Sequence, residues 1–114
     1  MNKKQKLIYL AGIVDGEGCF YRGYGTNGRG DKHLYSSLSI VNSSSPLIDW
    51  IKENYGGYAW RHVRSREHAN WKDVWRWSIR GKKAEALALE LLPYLIVKKE
   101  QVKRVILTEK EYLR

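Results

Sequence analysis

Apolar residues recur at Leu7, Leu10, Ala11 and Val14, a three-to-four-residue spacing that predicts a helix from Gln5 to Val14. The pattern then changes period. Residues 19–24 are rich in strand formers, and the glycine-rich stretch 25–31 predicts a turn. From Leu34 to Val41 the chain alternates, with Leu34, Ser36, Leu38 and Ile40 on one face and Tyr35, Ser37, Ser39 and Val41 on the other. Ser44 or Ser45 before Pro46 starts a second helix, which turns Leu47, Trp50 and Ile51 inward and stops at Gly56-Gly57. A second hairpin follows: Tyr58 to Arg64, a polar connection over residues 65–72, and a return from Val74 to Arg80. That return sets Trp75, Trp77 and Ile79 against Arg76, Ser78 and Arg80. Gly81-Lys82-Lys83 opens a helix through Leu87, Leu91 and Leu92 that ends at Pro93. A last helix runs from about Lys98 to Tyr112, with Val102, Val105 and Ile106 inward. Helix, hairpin, helix, hairpin, helix, helix is an α+β order, with helices on one face of a four-stranded antiparallel sheet.

Such a sheet leaves its other face to solvent or a ligand. The outward phase holds Tyr21, Tyr35, Ser37, Ser39, Trp60, His62, Arg64, Arg76, Ser78 and Arg80. Arginines, aromatics and hydroxyls together suit a nucleic acid, offering cations for phosphate and forks and hydroxyls for base edges. The charge agrees: 21 Lys and Arg against 12 acids give +9 over 114 residues, and polyanions are the common partners of so basic a small chain. Residues 58–80 alone hold six Lys or Arg against Glu67 and Asp73. Trp75 and Trp77 share the inward phase and read as core, while the phase of Trp60 leaves its role open.

No linker composition interrupts the chain, so residues 1–114 read as one domain. No apolar run approaches the roughly 20 residues that span a bilayer, and the apolar stretch after Met1 is too short for a secretory signal, so no membrane partner is expected. Cys19 has no partner for an internal disulfide, which suits a reducing, intracellular setting; it reads as a small, half-buried residue. His33, His62 and His68 lack the spacing of a zinc site.

The segment Leu10-Ala11-Gly12-Ile13-Val14-Asp15-Gly16-Glu17-Gly18 resembles the signature of the LAGLIDADG homing endonucleases. The αββαββα order, the strand end Leu38-Ser39-Ile40-Val41-Asn42 and the stretch Pro93-Tyr94-Leu95-Ile96-Val97-Lys98-Lys99 resemble the family too, so the likeness covers essentially the whole chain. It implies a site-specific, double-stranded DNA endonuclease whose sheet forms a DNA-binding saddle. One motif and no internal repeat imply a homodimer through the signature helix, with Leu7, Leu10, Ala11, Gly12, Val14 and Asp15 at the interface. Ala11 and Gly12 lack bulk where helices would approach closely. Two-fold pairing then sets two Glu17 carboxylates side by side, where they repel unless cations lie between them. The resemblance implies Mg²⁺ as that cation, held by Glu17 and the Gly16 carbonyl, with Mn²⁺ able to substitute and Ca²⁺ binding without cleavage. It further implies that Asp15 caps a neighbouring helix and that Lys98 is the basic active-site residue. Ser44 stands near the place of a water-ordering glutamine, as a shorter replacement. An intron maturase binding RNA and a non-catalytic DNA-binding regulator are the other expectations this fold allows.

Overall fold

The computed structural model describes residues 1–26, 28–62 and 73–104. Helix α1 spans Lys3–Glu17; Asn2 caps it by accepting from the Gln5 amide at 2.8 Å, and the Gln5 side chain accepts from the Asn2 amide at 2.9 Å. Strands β1 (Gly18–Thr26) and β2 (Lys32–Asn42) form the first hairpin. Helix α2 (Ser45–Tyr55) follows, then β3 (Tyr58–His62), β4 (Val74–Arg80) and α3 (Lys82–Leu91). A 3-10 turn, Leu92–Tyr94, carries Pro93, and residues 99–104 begin the last helix, α4. All pairings are antiparallel, in the order β1-β2-β4-β3, so the two hairpins meet through their β2 and β4 strands. The α+β architecture expected from the alternation is the one found.

The helices pack on the face bearing Phe20, Leu38, Ile40, Trp77 and Ile79, all buried. Trp77 is fully enclosed, and its indole N–H donates to the Gly56 carbonyl at 2.7 Å, satisfying the one polar atom it takes inside. Gly57 makes this closure possible: its φ is +84°, and a Cβ there would lie 2.6 Å from the Ser78 carbonyl oxygen. In α2 the fully buried residues are Ile48 and Ile51, whereas Leu47 and Trp50, expected inward, are half-buried on the flank toward α1. There Trp50 meets the Tyr9 ring edge-on at 5.1 Å.

Two expectations change. Leu7, Leu10, Ala11 and Val14, expected at a dimer interface, are buried in the chain's own core. The face of α1 left bare is Ile8, Tyr9, Gly12 and Gly16, with Ile13 half-buried at its edge, about 100° or more around the helix from the centre of the packed stripe. Cys19, expected half-buried, is exposed, because it shares the phase of Tyr21 rather than that of Phe20. Arg64, His68, Val105 and Ile106 lie outside the described residues. Among the described residues, no helix is long and apolar enough to cross a membrane.

Candidate functional site

The register fixes which side chains share the open face. Cys19, Ser39, Ser78 and Tyr58 form one row across the four strands. Tyr21, Ser37 and Arg80 form the next row on one side, and Val41, Arg76 and Trp60 the next on the other. Small side chains thus floor a cleft of about 340 Å³ whose walls are Tyr21, Tyr35, Trp60, Arg76 and Arg80. Eight of the ten residues expected outward line it, together with the unanticipated Cys19. His62 is exposed at the end of β3, outside this cleft, and Arg64 lies outside the described residues.

The two arginines on this face differ. The Arg80 guanidinium lies 5.5 Å from the centre of the Tyr35 ring, whereas Arg76 has no ring or ion-pair partner among the described residues. Arg61 points the other way and is committed to Asp73 by an ion pair and to Trp75 by a ring contact at 6.0 Å. Trp60 is 43% exposed and Tyr58 72%, a large aromatic area facing water.

At one end of the sheet, α1 delivers two carboxylates to opposite tasks. Asp15 turns toward the start of α4: its Oδ2 accepts from the Ile96 amide at 2.8 Å, and its Oδ1 from the Val97 and Lys98 amides at 3.0 Å each. These amides belong to the turn that leads into α4, so the carboxylate satisfies their N–H groups and sets its negative charge beside the positive start of the helix. Lys98 returns the exchange, its ammonium donating to the Val14 carbonyl at 3.3 Å and to the Gly18 carbonyl at the end of α1. An ammonium has three donors, so one remains.

Glu17 is exposed, and its partner is one the sequence patterns missed. The Asn42 amide donates to Glu17 Oε1 at 2.9 Å and to Oε2 at 2.7 Å. Asn42 is oriented in turn by the Ser44 amide, which donates to its Oδ1 at 2.7 Å, leaving the NH₂ group to face the acid. The Ser44 hydroxyl accepts from the Leu47 amide at 3.4 Å as the cap of α2, and makes no contact with Glu17. The side chain beside the acid is therefore Asn42, two positions before the serine expected there. Asn42 ends the alternating strand, where periodicity carries no signal; only its place in the quoted strand-end stretch pointed to it.

The donor set suits a hard divalent cation. Each Glu17 oxygen keeps a lone pair beyond its bond from Asn42, and Gly16 lies exposed in the last turn of α1, where carbonyls lack intrahelical partners. One chain offers one such carboxylate: among the described residues no three His, Cys, Asp or Glu come together. Beside Glu17 and Asn42 runs a groove of about 500 Å³, lined by Ile8, Tyr9, Gly12, Ile13 and Gly16 of α1 and by Leu47 of α2.

No family model and no curated sequence matches the chain. Solved structures do. The homing endonuclease I-CvuI, in complex with its target in the presence of Ca, matches with a TM-score of 0.71 at 24% identity, over 95% of this chain and 68% of that one. The archaeal intron-encoded homing endonuclease I-Vdi141I, complexed with DNA, matches at 0.65 and 20% identity, over 99% and 75%. The LAGLIDADG homing endonuclease I-LtrWI, bound to target DNA, matches at 0.67 and 20%, over 99% of this chain but 37% of that one.

Proposed function

We propose that this chain, whose fold is that of the LAGLIDADG homing endonucleases, is a site-specific endonuclease for double-stranded DNA that works as a homodimer with a divalent metal. The observation that carries the reading is Glu17: an exposed carboxylate at the junction of a bare helix face and an open face of arginines, aromatics and hydroxyls. The DNA complexes of I-CvuI, I-Vdi141I and I-LtrWI support duplex DNA as the ligand, and the Ca and Mg in the two I-CvuI complexes support a divalent cation. RNA binding, as in a maturase, finds no support among them.

Hydrolysis adds water across one P–O bond in each strand, leaving a phosphate on one fragment and a hydroxyl on the other. A bound Mg²⁺ supplies easier deprotonation of water and charge against the leaving oxygen. Glu17 and the Gly16 carbonyl would hold it. Asn42 holds both carboxylate oxygens through its NH₂ group and so fixes the acid's orientation, and the Lys98 donor left over from its two carbonyls is available to the phosphate. Pairing the bare faces of two α1 helices brings two Glu17 side chains together and joins two sheet faces into one long surface for a palindromic or nearly palindromic site.

The test starts from a randomised duplex library, since the target is to be found rather than assumed. Protein is used to enrich bound sequences in Ca²⁺, and the winners are then incubated with Mg²⁺ or Mn²⁺. Double-strand breaks at one position, leaving short 3′ overhangs, are the expected result. Selective binding with no cleavage in either metal would leave a DNA-binding regulator in its place.

A further inference from the structure

We infer that Tyr35 is a specificity-positioning residue: its ring holds Arg80 in one orientation, so that Arg80 reads a guanine edge while Arg76, which has no such ring partner among the described residues, serves the phosphate backbone. The inference rests on the duplex-DNA reading above. Both arginines lie on β4 in the same phase and line the same cleft, so their difference comes from their neighbours.

Arg80 stands opposite Ser37 and leans to the diagonal position on β2, where its guanidinium carbon lies 5.5 Å from the Tyr35 ring centre. Tyr35 is itself fixed. Tyr21 packs edge-on against it at 6.2 Å, and His33 sits at the same distance on its other side. The glycines of β1 make room for these rings. A Cβ at Gly25 would lie 3.2 Å from Tyr35 Cε1, and one at Gly23 would overlap the Tyr21 ring. The strand therefore gives up side chains at two positions so that two tyrosines can lie across it, as aromatics do over glycines in sheets.

A planar fork matches the O6 and N7 acceptors of guanine only when both of its donors align. An arginine already stacked loses less freedom on binding than a loose one. Arg76, opposite Trp60 and Val41 with no such restraint, adapts to phosphate oxygens at little geometric demand.

Selection on a randomised duplex library distinguishes these roles without a known target. The unaltered protein should enrich a guanine at one position of each half-site. Tyr35→Ala should reduce preference at that position by roughly fivefold or more, and Arg80→Lys, which keeps charge but lacks the fork, should reduce it likewise. Tyr35→Phe retains the ring and should restore the guanine. Arg76→Ala should leave the selected sequence unchanged, weaken binding to all duplexes alike and lower the salt slope by about one unit. An unaltered sequence preference in Tyr35→Ala, or a Tyr35→Phe protein that behaves like Tyr35→Ala, overturns the inference. Failure of the unaltered protein to bind any duplex would instead overturn the DNA reading beneath it.

Discussion

The two faces of α1 use one stretch of 15 residues for opposite purposes. On one side Leu7, Leu10, Ala11 and Val14 are buried against the sheet and the other helices, and Asp15 continues that side by closing the start of α4. On the other, Ile8 and Tyr9 are about half exposed, Gly12 has open space where a side chain would be, and Glu17 ends the row with its two oxygens on the Asn42 amide. The packed face sets where the helix lies; the bare face carries the groups that the proposed function uses. Substitutions on the two faces should therefore fail in different assays.

Glu17→Gln should separate them most. It keeps the size of the side chain and removes the charge, so duplex affinity in Ca²⁺ and thermal stability should stay near native while cleavage falls about 10³-fold, the scale of losing one transition-state-stabilising group. Comparable cleavage rates in Mg²⁺ would remove Glu17 from the chemistry. Leu10→Ala is the counterpart on the packed face. Leu10 is fully enclosed, and its truncation should cost about 3 kcal/mol of unfolding free energy in urea titration, with little change in the sequence selected.

Asp15→Asn is smaller. One oxygen that accepts from the amides of residues 96–98 becomes an NH₂ group facing an N–H, and the negative charge beside the start of α4 is gone. A loss of about 1–2 kcal/mol is expected by thermal denaturation, before any loss of metal binding. Gly12→Leu should move stability least and in the other direction. Nothing lies within 4 Å of a Cβ there, and leucine favours a helix interior over glycine, so the folded chain should gain about 0.5–1 kcal/mol. Self-association, followed by sedimentation, should nonetheless fall, because the added bulk stands on the bare face. Unchanged association would place the second copy elsewhere.

The fold was legible because its signals are local. Alternation in residues 34–41 and 74–80 set the strands, Pro46 and Gly56-Gly57 bracketed α2, and Pro93 closed α3. The phase of the open face followed from the same alternation, which is why most of its lining residues were named correctly as outward. Cys19 could have been placed by that rule as well, two residues before Tyr21. The partner of each face was not legible. A stripe at Leu7, Leu10, Ala11 and Val14 says that a helix buries one side, not whether its own core or a second chain covers it. Asn42 was missed for a different reason: its amide matters through a contact 25 residues away in sequence, which no period reports. The capping by Asp15 spans more than 80 residues and came from family resemblance, not from pattern.

The exchange of ends between α1 and α4 ties together two segments that enter the chain far apart. Asp15 closes three amides in the turn that enters α4, and Lys98 closes two carbonyls at the end of α1, so opening either end strips groups from both. Local fluctuations at the two ends are then one event rather than two, as in a cooperative opening unit. The amide protons of Ile96, Val97 and Lys98 should exchange with solvent at the same rate and denaturant dependence as those of the last turn of α1. Glu17 sits on that last turn, so the acid is held in place by the ordering of a segment some 80 residues downstream.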